Sequence, residues 1–61
     1  MLYKICDEKK ELYVLGFGKT KFNFTKNKKD AVQYGLSFSN SIADYLNHNN
    51  VFRKKWVVEG V

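Results

Sequence analysis

The chain has 61 residues, a formal net charge of +5, a hydrophobic fraction of 44% and ten aromatic side chains. That length permits one domain, and the hydrophobic fraction excludes a disordered polyelectrolyte. One cysteine, Cys6, and one histidine, His48, exclude an intramolecular disulfide and a four-ligand zinc site, so the domain folds on packing alone.

A globule of this mass buries only about 60% of the surface its unfolded chain exposes, and its expected radius of gyration is roughly 10–11 Å. A pocket of about 300 Å³ or more would hollow out much of so small a core, which argues against an enclosed active site. Met1 to Lys4 has no apolar leader, and no apolar run approaches the ~20 residues of a membrane span. With the lone thiol, these features lead us to expect a cytoplasmic protein that does not engage a membrane. There is no proline, hence no proline-rich linker.

Leu2 to Cys6 reads as a strand, with Tyr3 and Ile5 on one face and Lys4 and Cys6 on the other. Asp7 to Lys10 is a polar break, and Glu11 to Phe17 is a second strand, so the two form a hairpin. Leu12 and Val14 fall on one face of that strand; Tyr13, Leu15 and Phe17 fall on the other. Gly18-Lys19-Thr20 is a turn in which glycine supplies φ freedom. Lys21 to Thr25 alternates, with Phe22 and Phe24 inward. Lys26 to Asp30 is a charged loop. Ala31 to Tyr34 reads as a short strand, with a helical turn as the alternative.

The helix signal follows. Phe38, Ile42, Tyr45 and Leu46 form one stripe at helical spacing. Ser39 or Ser41 is placed to cap its start, and Asn47 to Asn50 to end it. Phe52 to Val61 is a final strand, with Phe52, Trp56 and Val58 on one face. The order β-β-β-(β)-α-β predicts an α+β domain, an antiparallel sheet of four or five strands with one helix packed on one face. One short helix cannot cover both faces. The uncovered face is therefore expected to bind a partner or a second copy of the chain.

The charge is concentrated. Lys19, Lys21, Lys26, Lys28 and Lys29, together with Arg53, Lys54 and Lys55, hold eight of the eleven basic residues, and the rest of the chain is net acidic. Such clusters suit polyanions, and they also serve simply to solvate a surface. A mimic of DNA is excluded, because it would have to be acidic.

Four motifs fail on context. Gly16 to Thr20 ends like a phosphate-binding P-loop, but Tyr13 stands where the first glycine belongs, and a strand follows instead of a helix. Gly16, Phe17, Gly18 and Phe22 match part of the RNP1 motif of RNA-recognition domains, whereas Leu15, Lys19 and Thr20 do not. That chemistry needs no particular fold, since aromatics on an open sheet flanked by lysines stack bases and hold phosphates. Nothing in the sequence places Cys6 beside His48 as nucleophile and base. Asn23-Phe24-Thr25 matches a glycosylation acceptor, which means little without a secretion signal. No catalytic, cofactor-binding or metal-binding residue is assigned. The candidate partner or nucleic-acid surface comprises Tyr13, Phe17, Lys19, Lys21, Lys26, Lys28, Lys29, Arg53 and Lys55.

Leu12-Tyr13, Phe24-Thr25, Asp30-Ala31-Val32-Gln33-Tyr34, a short helix and then Trp56-Val57-Val58-Glu59 resemble small accessory proteins of bacteriophages and prophages of AT-rich Gram-positive hosts. The resemblance implies a compact α+β fold and no catalytic residues to carry over. It also implies binding to a host or phage protein, components of host defence included. The expected function is therefore that of a non-enzymatic interaction protein. Sequence-nonspecific nucleic-acid binding through the lysine clusters is the alternative, and self-association is a third expectation.

Overall fold

The computed structural model describes residues 1–17 and 21–61, with residue 17 described by its backbone only. In chain order it contains β1 (Tyr3–Asp7), β2 (Tyr13–Phe17), β3 (Phe22–Thr25), a 3-10 turn (Lys28–Asp30), α1 (Leu36–His48), a second short turn (Val51–Arg53) and β4 (Trp56–Gly60). The strands make one antiparallel sheet in the order β3-β2-β1-β4, and α1 packs on one face. The α+β architecture expected from the sequence is the one observed, with four strands. The radius of gyration is 10.2 Å. No helix among the described residues is long and apolar enough to cross a membrane. The turn expected at Gly18-Lys19-Thr20 lies outside the described residues.

The β1–β2 hairpin is tied by one buried carboxylate. Asp7 accepts hydrogen bonds from the backbone N–H groups of Lys9 (3.2 Å), Glu11 (2.7 Å) and Leu12 (2.6 Å). Its side chain is 2% exposed and lies 3.6 Å from the Lys54 ammonium. An anion removed from water needs this many partners. Burial works against ionisation of Asp7. The N–H groups of Leu12 and Glu11, the Lys54 charge and the Lys9 N–H together outweigh burial and hold the carboxyl below its ordinary range.

β1 and β2 pair at Cys6↔Tyr13 and then part. A bulge between Val14 and Gly16, with Gly16 at φ 154°, redirects β2 in a conformation that side-chain-bearing residues rarely adopt. The chain from Val32 to Tyr34 fills the fork. Val32 donates its N–H to the Val14 carbonyl (3.2 Å), and Tyr34 exchanges both backbone bonds with Tyr3 (2.8 Å each). The short strand expected at Ala31 to Tyr34 is thus reduced to a single bridge, because only Tyr3 is left for it to pair with.

Helix α1 begins earlier than its serines suggest. Gly35 is the N-cap, with no side-chain hydrogen bond. Ser39 is buried inside the helix, and Ser41 donates its hydroxyl to the Ser37 carbonyl (3.1 Å). Neither is a cap. The buried stripe is Ser39, Ile42, Ala43 and Leu46, one position round from the expected one. The small side chains of Ser39 and Ala43 let the helix approach the sheet closely, and this turns Phe38 and Tyr45 outward to its flank. α1 sits over β4 and β1, not over the centre of the sheet.

The final strand begins at Trp56 and not at Phe52. Asn50, Phe52 and Arg53 have φ of 51°, 55° and 54°, so the chain there is left-handed and cannot pair. Asn47 then receives the strand. Its side-chain amide donates to the Trp56 carbonyl (2.9 Å) and accepts from the Trp56 N–H (2.7 Å). The Trp56 indole N–H donates to the Val51 carbonyl (3.1 Å). The helix side of the sheet holds Ile5, Val14, Ile42, Ala43, Leu46 and Trp56 as one core.

The face opposite α1 is covered over β1 and the start of β2, contrary to expectation. Residues 27–31 fold across it, led by Asn27, whose side chain caps Lys29 N–H (3.0 Å). Ala31 closes over Cys6 and Tyr13, with Val57 beside them. Lys4 donates to the Lys28 carbonyl (2.8 Å) and pins the segment down.

Replacement of Asp7 by Asn removes a buried anion from three N–H donors and leaves Lys54 with Glu11 as its one acidic partner. Chemical denaturation of Asp7→Asn is expected to show a loss of about 3 kcal/mol or more. The folded-state pKa values of Asp7 and Glu59 are both depressed, so the stability they contribute is complete above the unfolded carboxyl pKa of about 4. It is lost as pH falls below that value through the depressed folded ones. Denaturant midpoints against pH are therefore flat above about pH 5 and fall in acid, with a shallower fall in Asp7→Asn. Asn47→Ala, which leaves the Trp56 backbone groups without partners, costs about 1–3 kcal/mol in the same assay.

Candidate functional site

The sequence-derived surface residues do not form one patch. Tyr13 is 4% exposed beneath Ala31, so its ring is unavailable for stacking. The sequence placed it on a sheet face that one short helix was not expected to cover, but a segment from elsewhere in the chain, residues 27–31, covers it. Phe17 lies in β2, and its side chain is outside the described residues, as is all of Lys19. Lys21, Lys26 and Lys29 are exposed. Asn23 and Thr25 alternate with Phe22 and Phe24 along β3, which directs the two sets to opposite faces, and Lys21 precedes the strand.

Lys28 is engaged in the structure. Its ammonium lies 2.7 Å from Glu59, and Lys10 reaches the same carboxylate at 3.1 Å. The hydrogen bond from Lys28 holds the Glu59 carboxyl below its ordinary range, against the opposing effect of burial and with help from Lys10. Cys6 lies 3.9 Å from Glu59. Burial, and then the negative charges of Glu59 and Asp7, push the thiol up to about 11. A thiol so placed is not a nucleophile at neutral pH. Among the described residues, no three His, Cys, Asp or Glu side chains gather as a metal site.

The sequence reading missed the surface on the helix side. Because α1 lies over β4 and β1, the face of β3 beside it is left to aromatic rings. Tyr34 meets Phe38 edge-on at 5.0 Å, Phe22 meets Tyr45 at 5.5 Å, and Phe24 meets Phe52 edge-on at 5.0 Å. Phe38 and Tyr45 lie two turns apart on one flank of α1, and Phe22 and Phe24 share one face of β3, so these ring pairs make an aromatic ridge at the border of helix and sheet. Phe38 is 48% exposed, Tyr45 55% and Phe52 59%. The signal was present in the sequence as four apolar residues on a helix stripe. It was read as core because spacing gives the face of a helix and not how much of that face is covered.

At one end of the ridge, cations meet the aromatics. Lys9, Phe52, Arg53, Lys54 and Lys55 line an open pocket of about 410 Å³ whose floor includes Asp7 and Glu8. Lys54 is held by Glu11 (2.8 Å) and Asp7 (3.6 Å). Lys55 stands 3.9 Å from Glu8, a loose pair between exposed side chains. Lys9 and Arg53 have no acid within ion-pair distance among the described residues. Of the predicted residues among those described, Arg53 and Lys55 share this pocket.

The chain matches no protein-family model, no curated protein and no solved structure.

Cys6 supplies a test of this arrangement. A thiol-specific reagent is expected to label it in the folded protein on the order of a thousandfold more slowly than in denaturant, measured as the rate of chromophore release. Rapid labelling under native conditions would contradict the closed back face.

Proposed function

We propose that the chain is a non-enzymatic binding module that docks a protein partner through the aromatic ridge of Phe38, Tyr45, Phe22, Phe24 and Phe52. The observation that carries this reading is the half-exposure of Phe38, Tyr45 and Phe52, each packed on a less exposed ring at the border of the helix and the sheet. A 61-residue domain with a thin stability margin has every reason to bury such rings. Contiguous apolar surface of this kind is where partners bind, and aromatic anchors contribute most of the energy of such contacts.

A protein partner suits this surface better than a nucleic acid. Binding a single strand needs bases on rings and phosphates on lysines along one track. β3 itself carries no lysine beside its rings, and Tyr13 is covered. The resemblance to phage accessory proteins makes a bacterial host or phage protein the first partner to seek.

The test is capture from bacterial lysate treated with nuclease. We expect a stoichiometric partner with the wild-type protein. In Phe38→Ser/Tyr45→Ser, checked for folding by circular dichroism, retention falls by about tenfold or more. Lys26→Glu/Lys29→Glu retains the partner. Capture that vanishes with nuclease, and that depends on Lys26 and Lys29 instead of the ridge, would overturn the proposal.

A further inference from the structure

The pocket at the end of the ridge combines three features found together nowhere else among the described residues. The first is backbone strain. Phe52 and Arg53 have consecutive φ values of 55° and 54°, and neither is a glycine or asparagine. Bulky residues avoid this region, at a cost of roughly 1–2 kcal/mol each. The second is charge that folding does not use. The Arg53 and Lys9 side chains have no acid within reach, and Lys55 has only the loose contact with Glu8 at 3.9 Å. The third is an exposed ring, Phe52, that lines the pocket and also stacks on Phe24 of the ridge.

Left-handed geometry at Phe52 and Arg53 sets both side chains at the rim of the pocket instead of within a continuing strand. A glycine would satisfy that backbone with less strain, but it would supply neither ring nor guanidinium. We propose that this pocket receives the carboxylate side chains of an acidic segment of the partner protein, held by Arg53, Lys55 and Lys9, while apolar residues of the same segment run onto Phe52 and the ridge. The inference rests on the reading of the chain as a protein-binding module.

Two observations favour an acidic peptide over a nucleic acid. Asp7 and Glu8 lie in the same pocket, so its positive field is local and broken, suited to discrete carboxylates more than to a continuous run of phosphates. The pocket also opens onto rings already packed edge to face on one another, which offer apolar contact and no parallel slot for bases. The volume of about 410 Å³ exceeds one carboxylate and accommodates a short run of chain. Arginine suits the task, because its planar fork grips a carboxylate through two parallel hydrogen bonds.

The experiment is a titration of the isotope-labelled full chain, followed by amide NMR shifts. The probes are a synthetic peptide alternating Glu and Phe and an oligothymidylate of equal charge. The peptide is expected to shift the amides of Glu8 and of residues 52–55 and to bind more tightly than the oligonucleotide. Arg53→Gln weakens it by about tenfold. Glu8→Gln, which removes the competing carboxylate, tightens it. Arg53→Gly guards against a folding artefact: it relieves the strain and raises Tm by roughly 4 °C or more, yet it loses the same affinity.

Peptide affinity unchanged in Arg53→Gln and Arg53→Gly, or tighter binding of the oligonucleotide at the same amides, would overturn the inference. The Phe38→Ser/Tyr45→Ser protein separates it from the ridge reading. If only the ridge reading fails, that variant binds the peptide as well as wild type while Arg53→Gln still weakens it. If only the pocket fails, the ridge variant weakens binding and Arg53→Gln does not.

Discussion

The Asp7 carboxylate ties three parts of this small domain together. It gathers the N–H groups that shape the β1–β2 turn, and it holds Lys54 just before β4 begins. It also sits opposite Trp56 in the β1–β4 register, from Tyr3↔Gly60 to Asp7↔Trp56. The strands on both sides of β1 are thus referenced to one buried charge. A charge in that position is strongly stabilising only while every partner is present, which couples hairpin, approach loop and final strand into one cooperative unit. Asn47 completes the arrangement from the helix, since its amide pairs with the backbone of the same Trp56.

Once β4 is fixed beside β1 and clasped by Asn47, the helix has no freedom to sit over the middle of the sheet. It lies over β4 and β1, with Ser39 and Ala43 allowing close approach. Two consequences follow for function. The back face needs another cover, which residues 27–31 provide with Lys4, Lys10, Lys28 and Glu59 as fastenings. Part of the basic character of the chain is therefore structural, spent on closing its own sheet. The front of β3 is left beside the helix flank, and there the aromatic rings pack on one another while remaining open to solvent.

Much of this was legible in the sequence. Alternation located β1, β2 and β3, the apolar stripe located the helix, and their order gave the α+β class, because periodicity is a local property. What failed was non-local. Ala31 to Tyr34 has the composition of a strand, but the bulge at Gly16 decides how much partner it finds. Phe52 has the composition of a strand too, yet left-handed backbone at Asn50, Phe52 and Arg53 delays pairing until Trp56. Ser39 looks like a cap and is a spacer. Tyr13 looked exposed because strand alternation assigns a face and says nothing of a loop arriving from elsewhere. The aromatic ridge was hidden for the converse reason: Phe38 and Tyr45 carry the spacing of core residues, and the off-centre seat of the helix leaves them exposed. Arg53 and Lys55 were found from charge alone, without the ring and the strained backbone that set them apart from the other basic residues.

In the proposed binding mode the ridge beside α1, and not the covered back face, is where this domain meets its partner. Hydroxyl-radical footprinting of the free and partner-bound protein reads that directly. It predicts that Phe38, Tyr45 and Phe52 are oxidised readily in the free protein and protected in the complex, while protection at Tyr13 and Val57 is unchanged. Protection that instead appears over residues 26–29 and leaves the three rings as reactive as before would contradict it.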